Sequence, residues 1–88
     1  MRRIEKKIWP KYFQPILDGK KNYEFRLQDF DVEEGDILFL REWDPELKDY
    51  TGRELEKKVT YVGKFDIKDG FFPVEEVLDQ GIYILSLK

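Results

Sequence analysis

A chain of 88 residues with 41% hydrophobic and 16% aromatic content has room for one small domain with a bulky core, burying roughly 60 to 65% of its unfolded surface. It has neither cysteine nor histidine, and Ser86, Thr51 and Thr60 are its complete Ser and Thr set. A disulfide framework, thiolate chemistry, Ser-His-Asp catalysis and the common zinc sites are thereby excluded, and a net charge of −3 argues against a nonspecific nucleic-acid coat.

Residues 3 to 9 alternate, with Ile4 and Ile8 on one face and Lys7 and Trp9 on the other, which predicts a first strand. Pro10 suits the first turn of a helix whose apolar stripe is Tyr12, Phe13, Ile16 and Leu17, with Gly19 as its stop. Pro15 falls inside it, so the helix is either short and bent or split into two turns. A second strand covers about 22 to 27. Its alternation sets Glu24 and Arg26 on a charged face and assigns Tyr23, Phe25 and Leu27 to the core.

An acidic turn through Asp29, Asp31, Glu33 and Glu34 leads to a third strand, Asp36 to Trp43. Its apolar run Ile37-Leu38-Phe39-Leu40 predicts cover on both faces. Asp44-Pro45-Glu46 and Tyr50-Thr51-Gly52 predict a loop. A long fourth strand at roughly 53 to 64 carries Leu55, Val59 and Tyr61 on one face and Val62 on the other. Residues 65 to 80 read as an insert with a short helix at Pro73 to Asp79, and Ile82 to Leu87 as the last strand. No repeat or linker interrupts the chain, so 1–88 is expected to be one domain, α+β and mostly β. A small β-barrel of about five strands with one or two short helices outside it satisfies this order.

Charge is segregated. Residues 1 to 26 hold eight basic side chains against three acids, +5, which leaves −8 on the remainder of a chain of net −3. Such a field steers an anionic partner to one face; pairing of the basic segment with the acidic half after folding is the equally weighted alternative. No apolar run approaches the ~18 residues of a membrane span. A soluble, cytoplasmic monomer is expected, and the Lys- and Glu-rich composition fits a thermophile surface.

The motifs Lys7-Ile8-Trp9-Pro10-x-Tyr12-Phe13, Gly19-Lys20-Lys21 with Glu24 and Arg26, Gly35-Asp36-Ile37-Leu38, Leu40-Arg41-Glu42-Trp43-Asp44 and Tyr50-Thr51-Gly52-Arg53 span nearly the whole chain. In this order and spacing they resemble the ASCH group of the PUA-like superfamily, DUF3850-type branch. The resemblance implies a small barrel related to RNA-binding domains, with a cleft between barrel and helix that carries the Gly-Lys-Lys and Glu-x-Arg residues. Relatives in this branch often have a histidine near Ile4, where this chain has none.

The expected ligand-binding set is Lys7, Trp9, Lys20, Lys21, Glu24, Arg26, Arg41, Trp43, Tyr50 and Arg53. Arg26 offers a planar fork for phosphate or carboxylate, and Trp9, Trp43 and Tyr50 offer stacking surfaces for bases. For the two tryptophans core filling at strand ends is the stronger reading, and for Glu24 and Arg26 an ion pair is at least as strong as ligand contact. Binding of RNA or a nucleotide ranks first. Hydrolysis ranks second: some small ASCH relatives are amidohydrolases of acetylated cytidine nucleosides, and others ribonucleases, which would assign catalysis to Lys21 with Glu24. The amidohydrolase branch has a threonine where this chain has Glu24, which turns a potential nucleophile into a counter-ion. A protein-interaction module ranks third. No cofactor or metal is implied.

Overall fold

The structure, a computed structural model, describes residues 1–65 and 81–88. Five strands, β1 (Arg3–Ile8), β2 (Tyr23–Leu27), β3 (Ile37–Asp44), β4 (Asp49–Phe65) and β5 (Ile82–Leu87), and one helix, α1 (Pro10–Leu17), make up the described elements. The strands form one sheet in the order β1-β3-β4-β5-β2. β1 and β3 run parallel, and every other neighbouring pair is antiparallel. The helix follows β1 directly, as a parallel pairing requires a crossover to return the chain.

Alternation puts Leu38, Leu40, Val59 and Leu85 on the inner face, where they are fully enclosed together with Phe13 and Ile16 of α1. Each such side chain stabilises the fold by about 1.5–3 kcal/mol through apolar burial. Among the described residues no backbone ladder joins the outer strands β1 and β2, so the curled, barrel-like sheet stays open along one seam. Side chains cross that seam instead. Arg26 donates Nη2–H to the Lys7 carbonyl, and the Lys6 ammonium lies 3.7 Å from the centroid of the Phe30 ring.

The helix is continuous through Pro15. Proline removes one bond to the Lys11 carbonyl, and Lys11 is exposed, so water can take that acceptor. The Pro15 carbonyl accepts from the Lys20 and Lys21 amides at 2.9 and 3.0 Å. With Gly19 at φ +76° this turn reverses the chain into β2.

Four local expectations are corrected. The Tyr23, Phe25 and Leu27 face of β2 points outward, with Phe25 56% exposed, while Glu24 is only 4% exposed. Pairing with β5 decides this: Glu24 stands opposite the enclosed Leu85, and Phe25 opposite the exposed Ile84. Tyr50-Thr51-Gly52 belongs to β4, and the hairpin connection is confined to 45–48. In β4 a register slip between Val59 and Tyr61 turns Tyr61 outward, so Val59 and Val62, not Tyr61, meet the core. The expected cover on both faces of β3 is only partial on the outer one, where Ile37, Phe39, Arg41 and Trp43 are half-buried and the Arg3 guanidinium lies 3.7 Å from the Phe39 ring centroid. The expected insert and its helix at Pro73 to Asp79 lie outside the described residues. No helix among the described residues is long and apolar enough to cross a membrane.

Candidate functional site

At the seam, the end of β1, the first turn of α1 and the start of β2 surround an open cleft of about 700 Å³. Its lining is Lys7, Ile8, Trp9, Tyr12, Lys21, Tyr23, Glu24, Phe25 and Arg26. Each wall has a local cause. Pro10 begins the helix one residue after β1, which leaves Trp9 and Tyr12 at the mouth, each about half exposed. The Gly19 turn delivers Lys21 beside the cleft, and the inward phase of β2 delivers Glu24 and Arg26.

Glu24 is held between two cations. Its Oε2 accepts from Arg26 Nε at 2.9 Å, with Arg26 Nη2 at 2.8 Å, and its Oε1 lies 3.5 Å from Lys21 Nζ. A carboxylate this deeply buried requires such partners, since desolvation would otherwise disfavour its charge. Lys21 Nζ also lies 5.0 and 5.2 Å from the Tyr12 and Tyr23 ring centroids, within cation–π range. Among the described residues, Lys7, Lys21 and Arg26 against Glu24 leave the cleft with a surplus of positive charge.

Of the residues singled out in the sequence, the structure brings Lys7, Trp9, Lys21, Glu24 and Arg26 together in the cleft. Lys20 is exposed on the helix–strand turn and does not line it. Trp43 and Tyr50 form a cross-strand pair on the outer face beside β1. The Arg41 guanidinium lies 3.9 Å from the Tyr50 ring centroid, and Lys7 Nζ lies 5.0 Å from that of Trp43. Lys7 therefore borders both the cleft and this cation–aromatic stack.

Arg53 is engaged elsewhere. Its Nε and Nη2 donate to Glu42 at 2.9 and 2.6 Å, and its Nη1 donates to Gln14 Oε1 at 2.9 Å. Thr51 Oγ1 also donates to Glu42, at 2.6 Å. The Arg53 hydrogen bonds, aided by Thr51, hold the Glu42 carboxyl below the usual carboxylate range against the opposing effect of burial. This network ties α1 to the β3–β4 hairpin and so fixes the helix that carries Trp9 and Tyr12 at its start. Extra residues of β4 opposite Glu42 make it possible, as the pairing slips between Arg41 and Trp43 and Gly52 adopts φ +95°.

Tyr12, Tyr23, Phe25 and Ile8 line the cleft without having been singled out. Tyr12 looked like part of the apolar helix stripe, and Tyr23 and Phe25 like core. The sequence signal of Tyr23 and Phe25 is closeness to the Gly-Lys-Lys turn, and that of Ile8 and Tyr12 is closeness to Trp9-Pro10, neither of which periodicity weighs.

The profile of the family described as "Domain of unknown function (DUF3850)" matches residues 5–75. A protein of Escherichia phage P2, described as "Uncharacterized 12.9 kDa protein in GpA 3'region", is 45% identical over 58 residues, 66% of this chain. The chain spans 51% of that relative's length. Among solved structures, "hypothetical protein PH0355" superposes with a TM-score of 0.71 at 19% identity, covering 100% of this chain and 98% of that one. Two mutants of the ZmASCH protein from Zymomonas mobilis superpose with TM-scores of 0.66 at 16% identity, over 98% and 100% of this chain and 67% and 70% of theirs. These superpositions show an ASCH-type fold, and with the profile match over most of its length the chain belongs to the DUF3850 family.

Proposed function

We propose that the protein binds single-stranded RNA or a nucleotide in the cleft between β1, α1 and β2. The observation that carries this reading is the convergence of Lys7, Lys21 and Arg26 with the half-exposed rings of Trp9, Tyr12 and Tyr23 on one open cleft. Cations hold the phosphate and aromatic faces stack the base, a combination that suits an unpaired nucleotide. Hydrolysis ranks behind binding because the amino group it would rest on, Lys21 Nζ, is engaged by Glu24 Oε1 at 3.5 Å and by the Tyr12 and Tyr23 rings.

Titration of the isotope-labelled protein with short single-stranded RNA and a nucleotide panel at low salt tests the reading. Amide shifts at Lys7, Lys21 and Arg26 that weaken as salt rises support it. Absence of such shifts with every ligand overturns it.

A second reading, a protein-interaction module, has its own observation: Tyr23, Phe25, Leu27, Tyr61 and Ile84 share the exposed outer face of β2, β5 and β4. Shifts at Leu27, Tyr61 and Ile84 on addition of a protein partner, with none at Lys7, Lys21 and Arg26, would favour it, since Tyr23 and Phe25 border both surfaces.

A further inference from the structure

Among the described residues Glu24 is the one carboxylate in the lining of the cleft, and its two oxygens are used unequally. Oε2 takes both contacts from Arg26, at 2.9 and 2.8 Å, whereas Oε1 has only Lys21 Nζ, at the long distance of 3.5 Å, among the described residues. A carboxylate oxygen accepts through two lone pairs, and a contact this long leaves its acceptor capacity largely unspent. The Arg26 contacts and the burial of the Glu24 side chain on the strand opposite Leu85 fix where that oxygen points. The cleft thus offers a surplus of cations and one oriented, underused acceptor. A metal ion or an ammonium ligand is a poor complement, because Lys21 and Arg26 flank the carboxylate and repel a cation. A neutral N–H donor is a good one.

Resting on the nucleotide-binding reading, we propose that Glu24 selects the base: the cleft takes a nucleotide whose base carries an exocyclic amine, donated to Glu24 Oε1. The phosphate lies toward Lys7 and Lys21, and the ring stacks against Trp9 or Tyr12 at the mouth. Carboxylates accept from base amines in this way. An oxo group in the same place would set one acceptor against another in a partly desolvated site, a mismatch that costs affinity because neither group is then satisfied.

The test uses the wild-type chain at low salt and two ligand pairs, CMP with UMP and AMP with IMP. Each pair keeps ribose and phosphate and exchanges an exocyclic amine for an oxo group, the adjacent ring nitrogen gaining a hydrogen, so an oxo member that donated this ring N–H to Glu24 would show as equal affinity or as preference for the oxo member. Titration calorimetry is expected to show the amine member bound about five- to tenfold more tightly in at least one pair, the low end of what one base contact discriminates. Glu24→Gln, whose amide both donates and accepts, is expected to reduce that preference to within about twofold. Equal affinity in both pairs, or preference for the oxo members, overturns base selection while leaving nucleotide binding intact. Failure of all four nucleotides and of short RNA to bind overturns the binding reading itself. The wild-type comparison decides the proposal even if the variant does not fold.

Discussion

Arg26 Nη2 donates to the Lys7 carbonyl, so a side chain from one edge strand satisfies a backbone acceptor on the other edge. The same guanidinium neutralises Glu24, which makes one residue both the clasp of the open seam and the counter-ion of the cleft. Arg26→Leu is expected to destabilise the protein by about 2–4 kcal/mol, because it leaves a buried carboxylate with a single distant cation. The double variant Arg26→Leu, Glu24→Leu should recover much of the loss, since removing both members of a buried pair costs less than removing one. Urea midpoints at constant slope measure both, and a single variant as stable as wild type contradicts the clasp.

The Glu42 network predicts coupling between the β3–β4 hairpin and the helix. Thr51→Val removes one hydrogen bond to a buried carboxylate and is expected to cost about 1–2 kcal/mol. Arg53→Ala releases both Glu42 and Gln14 and is expected to speed amide exchange through α1 more than through β5. Uniform acceleration across all elements would instead indicate loss of global stability without a local tether.

Asp36 predicts a pH dependence. Its carboxylate accepts the Arg2 amide at 2.9 Å and the Glu33 amide at 2.9 Å, and these backbone hydrogen bonds hold its pKa below the usual value in spite of burial. A depressed native pKa means that the unfolded chain binds the proton first, so this stabilisation is present above the ordinary carboxylate range and is lost as pH falls through the native value. Glu42 acts with the same sign. Urea midpoints should be flat near pH 6–7 and fall below about pH 4, with a shallower fall in Asp36→Asn. An unchanged slope in that variant contradicts the assignment.

The inverted faces of β2 predict opposite outcomes for two phenylalanines. Phe13→Ala empties a fully enclosed site and is expected to cost about 3–5 kcal/mol. Phe25→Ser, on the exposed face, is expected to stay within about 0.5–1 kcal/mol of wild type. A comparable loss in both would restore the inward assignment of Phe25.

The succession of elements along the chain, the helix position and the chain reversals were legible in the sequence because each is set locally: by Pro10 and Gly19 around α1, by Gly35-Asp36 before β3, and by the alternation of Ile82–Leu87. Within the ten residues singled out, Lys21, Glu24 and Arg26 are neighbours along the chain through the Gly-Lys-Lys turn and the period of β2, whereas Lys7 and Trp9 reach the same cleft from the end of β1.

What the sequence determined by itself was that Glu24 and Arg26 share one face of a strand and Tyr23, Phe25 and Leu27 the other, because a period of two is a property of the extended backbone. Which face points inward was decided only by the tertiary structure. The pairing with β5 sets Glu24 opposite the enclosed Leu85, and the two cations make its burial tolerable. The open seam and the Glu42–Arg53 tether also depend on contacts between distant strands and on register slips that periodicity does not encode.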